Sequence, residues 1–208
     1  MKPLKKIIYF LSIVSLLITS SSAYPYGYGT AGEDPLIIMF KKVISELKKP
    51  EKNWDDIGKI VVEIKAPIAS MEAFFKLKIY SKFEKSVSDK DAKSLVNNTV
   101  NLIYLSMMEK FELIKQNEFK DYDFAKGRLA LNDKYYKEIF KGNVIKYDSE
   151  NGTSYNDAIL KALQDIQGTI GKPAKFGIGG EPPHIDDYNK MYNEIKSNLK
   201  KAFPFLEG

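Results

Sequence analysis

The sequence predicts an all-α fold, an antiparallel bundle of four main helices plus shorter ones. Past residue 34, apolar residues recur at spacings of three and four, as they do on a helix with one buried face. Proline, glycine, Ser and Asp/Asn fall where such helices start and stop. No segment alternates apolar and polar residues in the manner of a half-buried strand.

The helices follow in order. Asp34 is placed to cap the first and Pro35 to open it, with Ile37, Phe40, Ile44 and Leu47 inward and Pro50 beyond its end. The second carries the longest seam: Trp54, Ile57, Val61, Ile64, Ile68, Met71 and Phe75, continuing toward Ile79 and Phe83. Asn53 can cap it, and Pro67 inside the pattern must kink or split it. The third is expected from Ser88 to about Lys115, with Ser88 and Asp91 as a capping-box-like start. Its face of Ala92, Val96, Val100, Ile103, Met107, Phe111 and Ile114, widened by Leu95, Leu102 and Leu105, suits a central, heavily buried helix. The fourth is expected over 121–141, with Phe124, Leu131, Tyr135 and Ile139 inward and Gly142 as C-cap. The fifth covers 154–170, with Tyr155, Ile159, Ala162, Leu163 and Ile166 inward. The sixth covers 186–203, with Tyr188, Met191, Ile195, Leu199 and Phe203 inward, and Pro204 stops it. Residues 142–153 read as a polar loop and 171–184 as a long Gly/Pro-rich one.

Residues 1–23 have the form of a signal peptide. Lys2, Lys5 and Lys6 precede an uncharged run over 7–18, and the small residues Ser21 and Ala23 suit cleavage before Tyr24. The run is short of the roughly 20 residues of a membrane-spanning helix. An uncleaved anchor is the alternative reading. Cleavage would leave a periplasmic or extracellular chain with no membrane span: a Gly/Tyr-rich leader over 24–33, then one helical-bundle domain over 34–208. Such a chain buries roughly 70% of its unfolded surface. It has no Cys, so neither disulfides nor thiolate metal sites contribute.

Of 32 basic residues, three lie in the signal segment, leaving 29 against 27 acidic. The charges are interspersed and Arg128 is the only arginine, so no nucleic-acid partner is expected.

No catalytic constellation stands out. A helical di-iron site needs Glu and Glu-x-x-His motifs. Glu181-x-x-His184 has that spacing but holds Pro182 and Pro183, and Glu109-x-x-Glu112 lacks a histidine. Met39 and His184 match haem ligand types, although Met39 suits a core filler equally well. No Gly-x-Ser-x-Gly elbow or phosphate loop is present. Glu63 and Glu72 flank the second helix's seam. Tyr135, Tyr136, Tyr147, Tyr155, Tyr188 and Tyr192 can line a pocket or fill the core. Asn97 and Asn151 begin glycosylation sequons, Asn97 in mid-helix and Asn151 on the polar loop.

These features point to an exported, non-catalytic helical protein that binds a partner protein or a small ligand. A haem- or metal-carrying bundle is the alternative; no cofactor and no metal ligand set is predicted. The expected ligand-binding residues are Phe176, Glu181, His184 and Tyr188, in and after the Gly/Pro-rich loop.

Overall fold

The computed structural model describes residues 34–174 and 179–208; the signal-like segment, the Gly/Tyr-rich leader and Phe176 lie outside them. Among the described residues every regular element is helical, and the one β feature is an isolated bridge between Lys172 and Glu181.

Helix α1 (Pro35–Lys48) begins as expected, with the Asp34 carboxylate accepting from the Leu36 amide at 2.9 Å. Its buried residues are Leu36, Ile37, Met39 and Val43, while Phe40 and Leu47 only flank the core and Ile44 is half-buried. The inward stripe therefore lies about one residue earlier than the sequence pattern suggests. Met39 is a core residue of this helix.

The long second helix is split into α2 (Trp54–Glu63) and α3 (Lys65–Phe75), with Ile64 between them at φ −99° and ψ 11°. Pro67 has no N–H to give the Glu63 carbonyl, so the ladder breaks there and resumes when the Ile68 amide donates to Ile64. The seam survives the break: Ile57, Val61, Ile64, Ile68, Met71, Ile79 and Phe83 are all buried. Lys76, in the left-handed region at φ 55°, ends α3. In α4 (Tyr80–Ser88) the first amides are satisfied from outside, by the Glu72 carboxylate accepting from Ile79 and Tyr80 at 2.6 and 2.8 Å. Glu63, by contrast, is an exposed partner of Lys42.

Helix α5 (Ala92–Gln116) starts later than the sequence pattern indicates. Ser88 closes α4, and Asp91 alone is the cap, accepting from the Ser94 amide at 3.0 Å and hydroxyl at 2.6 Å. Residues 101–111 are buried without interruption, since α1, α3, α4 and α6 all lie against this helix.

The expected stop at Gly142 does not occur. Helix α6 (Tyr122–Tyr135), capped by Asp121, passes through a π-helical segment (Tyr136–Phe140) into α7 (Lys141–Asn151). Most of the supposed polar loop is therefore helix, and Asn151 is its exposed last residue. A glycine signals a C-cap only where the backbone turns left-handed. Gly152 does so, at φ 64°, whereas Gly142 does not. Val144 is buried and gives α7 its reason to continue.

Asp148 on α7 then caps α8 (Tyr155–Thr169), accepting from the Tyr155 and Asn156 amides at 3.0 and 2.8 Å and from the Thr153 hydroxyl at 2.5 Å. The 171–184 connection folds back on itself through the 172–181 bridge, and the His184 amide donates to the Thr169 carbonyl at 2.8 Å. That return brings α9 (Ile185–Ala202) alongside α8. After Phe203 the chain turns back to α5: Leu206 is buried, the Glu207 amide donates to Asn101 at 2.8 Å, and the Glu207 carboxylate pairs with Lys82.

Candidate functional site

An all-apolar core would need no charge in its central helix, yet α5 buries Ser106, Glu109 and Lys110 and carries Tyr104, Glu112 and Lys115 within or beside the core. These residues fall into two groups on different faces.

The first group faces α6. The Lys110 ammonium donates to the Ser106 hydroxyl at 2.7 Å and to its carbonyl at 3.3 Å, and lies 5.2 Å from the centre of the Tyr135 ring. Ser106 meets the Tyr135 hydroxyl at 3.5 Å, and the Asn132 side-chain amide donates to the Met107 carbonyl at 3.1 Å. Burial pushes the Lys110 ammonium down to about 8, against the opposing pull of Glu109 and Asp34. Burial likewise raises Glu109, more than Lys110 and Arg128 lower it. The cations Lys110 and Arg128 are thus matched by Glu109 and Asp34. This group is internally balanced.

The second group joins α5 to α9. Phe111 packs against Tyr192 with ring centres 5.4 Å apart and against Tyr188 at 6.4 Å. Lys115, one turn beyond Phe111, holds its ammonium 5.3 Å from the Tyr192 ring centre and 3.3 Å from the Glu112 carboxylate. On α9, Tyr192, Lys196 and Lys200 follow at intervals of four and so share a face. Burial, then the Glu112 carboxylate beside it, then Tyr104, raise the Tyr192 phenol well above its ordinary range. Burial also raises Tyr104, so both phenols keep their protons at neutral pH. Burial, then Lys200, push the Lys196 ammonium down; Lys115 adds to this and Glu112 opposes it.

Buried polar atoms without a partner occur in both groups, Asn132 Oδ1 in the first and the Tyr104 hydroxyl in the second. Tyr104 is fully buried, and its hydroxyl has no hydrogen-bond partner among the described residues. The Glu112 and Lys115 side chains, against Tyr192, are 29% and 32% exposed. The chain matches no protein-family model, no curated protein and no solved structure.

The residues expected from sequence to form the site are dispersed. Phe176 lies outside the described residues. Glu181 is exposed, its backbone in the bridge and its carboxylate 3.1 Å from the Lys172 ammonium. His184 is exposed too, in the N-cap position of α9 without a side-chain capping bond. Tyr188 is fully buried, and its hydroxyl donates to the Phe111 carbonyl at 2.9 Å. It thus stands one turn before Tyr192 and belongs to the α5–α9 junction, apart from the loop's polar residues. No group of three His, Asp or Glu able to hold a metal occurs among the described residues. No described helix is long and apolar enough to cross a membrane.

Of the junction residues, Tyr192 and Glu112 stand out in the sequence, whereas Tyr104, Lys115 and Lys196 do not. The available signal was a spacing: Tyr104, Phe111 and Lys115 lie seven and four apart on one helix, and Tyr192 and Lys196 four apart on another. Tyr104 sits inside the apolar run 102–105, where it reads as ordinary core.

Proposed function

We propose that this chain is an exported, non-catalytic helical protein that binds a small ligand at the α5–α9 junction, its helices forming an antiparallel bundle around α5. One observation carries the reading. A buried hydroxyl without a partner costs about 1–3 kcal/mol, and the Tyr104 hydroxyl stands in that state near Tyr192. A ligand that accepts from Tyr104 recovers this energy on binding. Aromatic walls with a few polar tips are the usual lining of small-molecule sites, and Phe111, Tyr188 and Tyr192 supply such walls. The signal-like pattern over 1–23 and the nearly balanced charge of the remainder support export and argue against nucleic acid as the partner.

The test is recovery of the full-length product from the extracytoplasmic fraction, followed by N-terminal sequencing and native mass spectrometry. The expected chain begins at Tyr24 and carries a bound small molecule that Tyr104→Phe no longer retains. A chain beginning at Met1 would refute cleavage. A ligand retained equally by Tyr104→Phe would refute the site.

A further inference from the structure

We infer that Glu207 and Gly208 form a latch over Tyr104, a two-residue cover that lifts off the ring to admit the ligand and closes behind it. The inference rests on the ligand-binding reading above and adds the entrance to that site.

The cover is thin. Tyr104 has no exposed surface, yet Gly208, which lies on its ring edge, is itself exposed. A Cβ placed on Gly208 would stand 4.0 Å from Tyr104 Cε1, 4.0 Å from Phe75 Cδ1 and 2.8 Å from Leu105 Cδ2. Cε1 is the ring carbon next to the one that bears the hydroxyl, so Gly208 lies against the edge beside the unpartnered group. The backbone at Gly208 has φ +107°, a conformation that glycine enters freely and other residues do not. Only a residue without a side chain seats this closely on Leu105.

The cover is held by polar contacts alone. Up to Leu206 the chain is anchored by packing: Phe203 and Leu206 are buried, and the Leu206 amide donates to the Phe203 carbonyl at 3.1 Å. Beyond Leu206 neither residue is buried. The Glu207 amide donates to the Asn101 side chain at 2.8 Å, and the Lys82 ammonium donates to the Glu207 carboxylate at 2.6 Å. Both side chains of that ion pair are exposed, 42% and 41%. Pairs so placed are weak and are screened by salt. The Lys200 ammonium donates to a Gly208 oxygen. Water can take over each of these bonds, whereas it cannot replace the packing of Phe203 and Leu206. The pivot therefore falls between Leu206 and Glu207. Lifting two residues there bares the Tyr104 edge and leaves the core packed. Entry from the α9 side would instead have to part the Phe111 and Tyr192 rings, whose centres are 5.4 Å apart.

The test is nitration of the purified protein by tetranitromethane at low conversion, which modifies tyrosine at Cε, the position that Gly208 covers. Peptide mapping follows Tyr104. Half-buried Tyr122 corrects for the reagent, and Tyr188, equally buried but with its hydroxyl bonded to Phe111, reports any general loosening. Tyr104 nitration should rise several-fold from low to high salt, because salt weakens the Lys82–Glu207 pair. Glu207→Gln should show that rise already at low salt and lose the salt response. Gly208→Ala, whose Cβ has no room against Leu105, should raise Tyr104 nitration at any salt. Lys59→Met, which breaks an exposed ion pair on α2, should change nothing.

Tyr104 nitration unchanged in both Glu207→Gln and Gly208→Ala overturns the latch. A rise of Tyr188 in step with Tyr104 overturns it too, since the whole fold would then be loosening. The ligand-binding reading is judged separately, by native mass spectrometry of Tyr104→Phe. If that variant loses the copurifying molecule while nitration ignores the latch variants, the site stands and the latch falls. If it retains the molecule, the site falls, and nitration still decides whether residues 207–208 cover Tyr104.

Discussion

Replacing Lys110 with methionine should stabilise the protein at neutral pH, and the gain should vanish in alkali. The lysine is 5% exposed, and its ammonium is pushed from the ordinary 10.5 to about 8, chiefly by burial. A difference of that size corresponds to about 3 kcal/mol between the protonated and neutral forms. The folded pKa lies below the unfolded one, so the folded state holds the proton less tightly. The penalty is fully present below pH 8 and is relieved as pH rises from 8 toward 10.5. Against it stand the hydrogen bonds to the Ser106 hydroxyl and carbonyl, together about 1 kcal/mol net. Methionine keeps the length and the apolar stem, so Lys110→Met should gain about 1–2 kcal/mol at pH 7. Urea unfolding of both proteins at unit steps from pH 6 to pH 10 measures this. Their difference should hold steady to about pH 7.5 and then shrink by up to about 1.4 kcal/mol per pH unit. Above pH 10 the tyrosines ionise in both unfolded chains and cancel in the comparison. A difference independent of pH, or a loss of 3 kcal/mol or more at pH 7, would refute the reasoning. The latter would mean that the ammonium neutralises a buried carboxylate the fold cannot leave alone.

Three further outcomes are expected. Ile64→Ala, at a seam residue 4% exposed, should cost about 2–5 kcal/mol in denaturant unfolding; a loss below about 0.5 would show that the α2–α3 break tolerates a cavity. Asp148→Ala removes the acceptor for two amides at the start of α8 and should cost about 1–2 kcal/mol, with faster hydrogen exchange confined to those amides. Gly171 sits at φ +75°, and a Cβ there would come within 2.5 Å of the Glu181 carbonyl oxygen, so Gly171→Ala should lower the melting temperature and open the 172–181 bridge; unchanged exchange at the Glu181 amide would contradict this.

The all-helical fold class was legible in the sequence because the signals for it are local. The α2–α3 seam and the buried face of α5 follow from apolar spacing alone, and Asp34, Asn53 and Asp121 cap where Asp and Asn are expected to cap. Two errors had one cause, the ambiguity of a residue type. Ser88 is as good a cap by composition as Asp91, and only the backbone path gives the role to Asp91. Gly142 and Gly152 both read as helix stops, and only Gly152 adopts the left-handed conformation that makes one. The site was less legible for a different reason. Lys115, Tyr192 and Lys196 come together from two helices more than seventy residues apart, and the spacings within each helix do not say that the two faces meet. Composition drew attention to the Gly/Pro loop, where Glu181 and His184 lie on the surface.

The π-helical segment Tyr136–Phe140 acts as a register shifter within an otherwise continuous rod. A π turn accommodates one residue more than an α turn of the same rise. It lets two neighbours, Tyr135 and Tyr136, both be buried, the second with its hydroxyl donating to Asn156 at 3.0 Å. Everything downstream is phased by that extra residue. Remove one residue from the segment and the ladder could close as plain α-helix, with every hydrogen bond satisfied. Yet α7 would turn by about 100° about its axis. Val144 would rotate out of the core, and Asp148 would swing away from the amides of α8. The start of α8 is therefore set by a residue count made more than one helical turn earlier, where a substitution is a local event and a deletion is not.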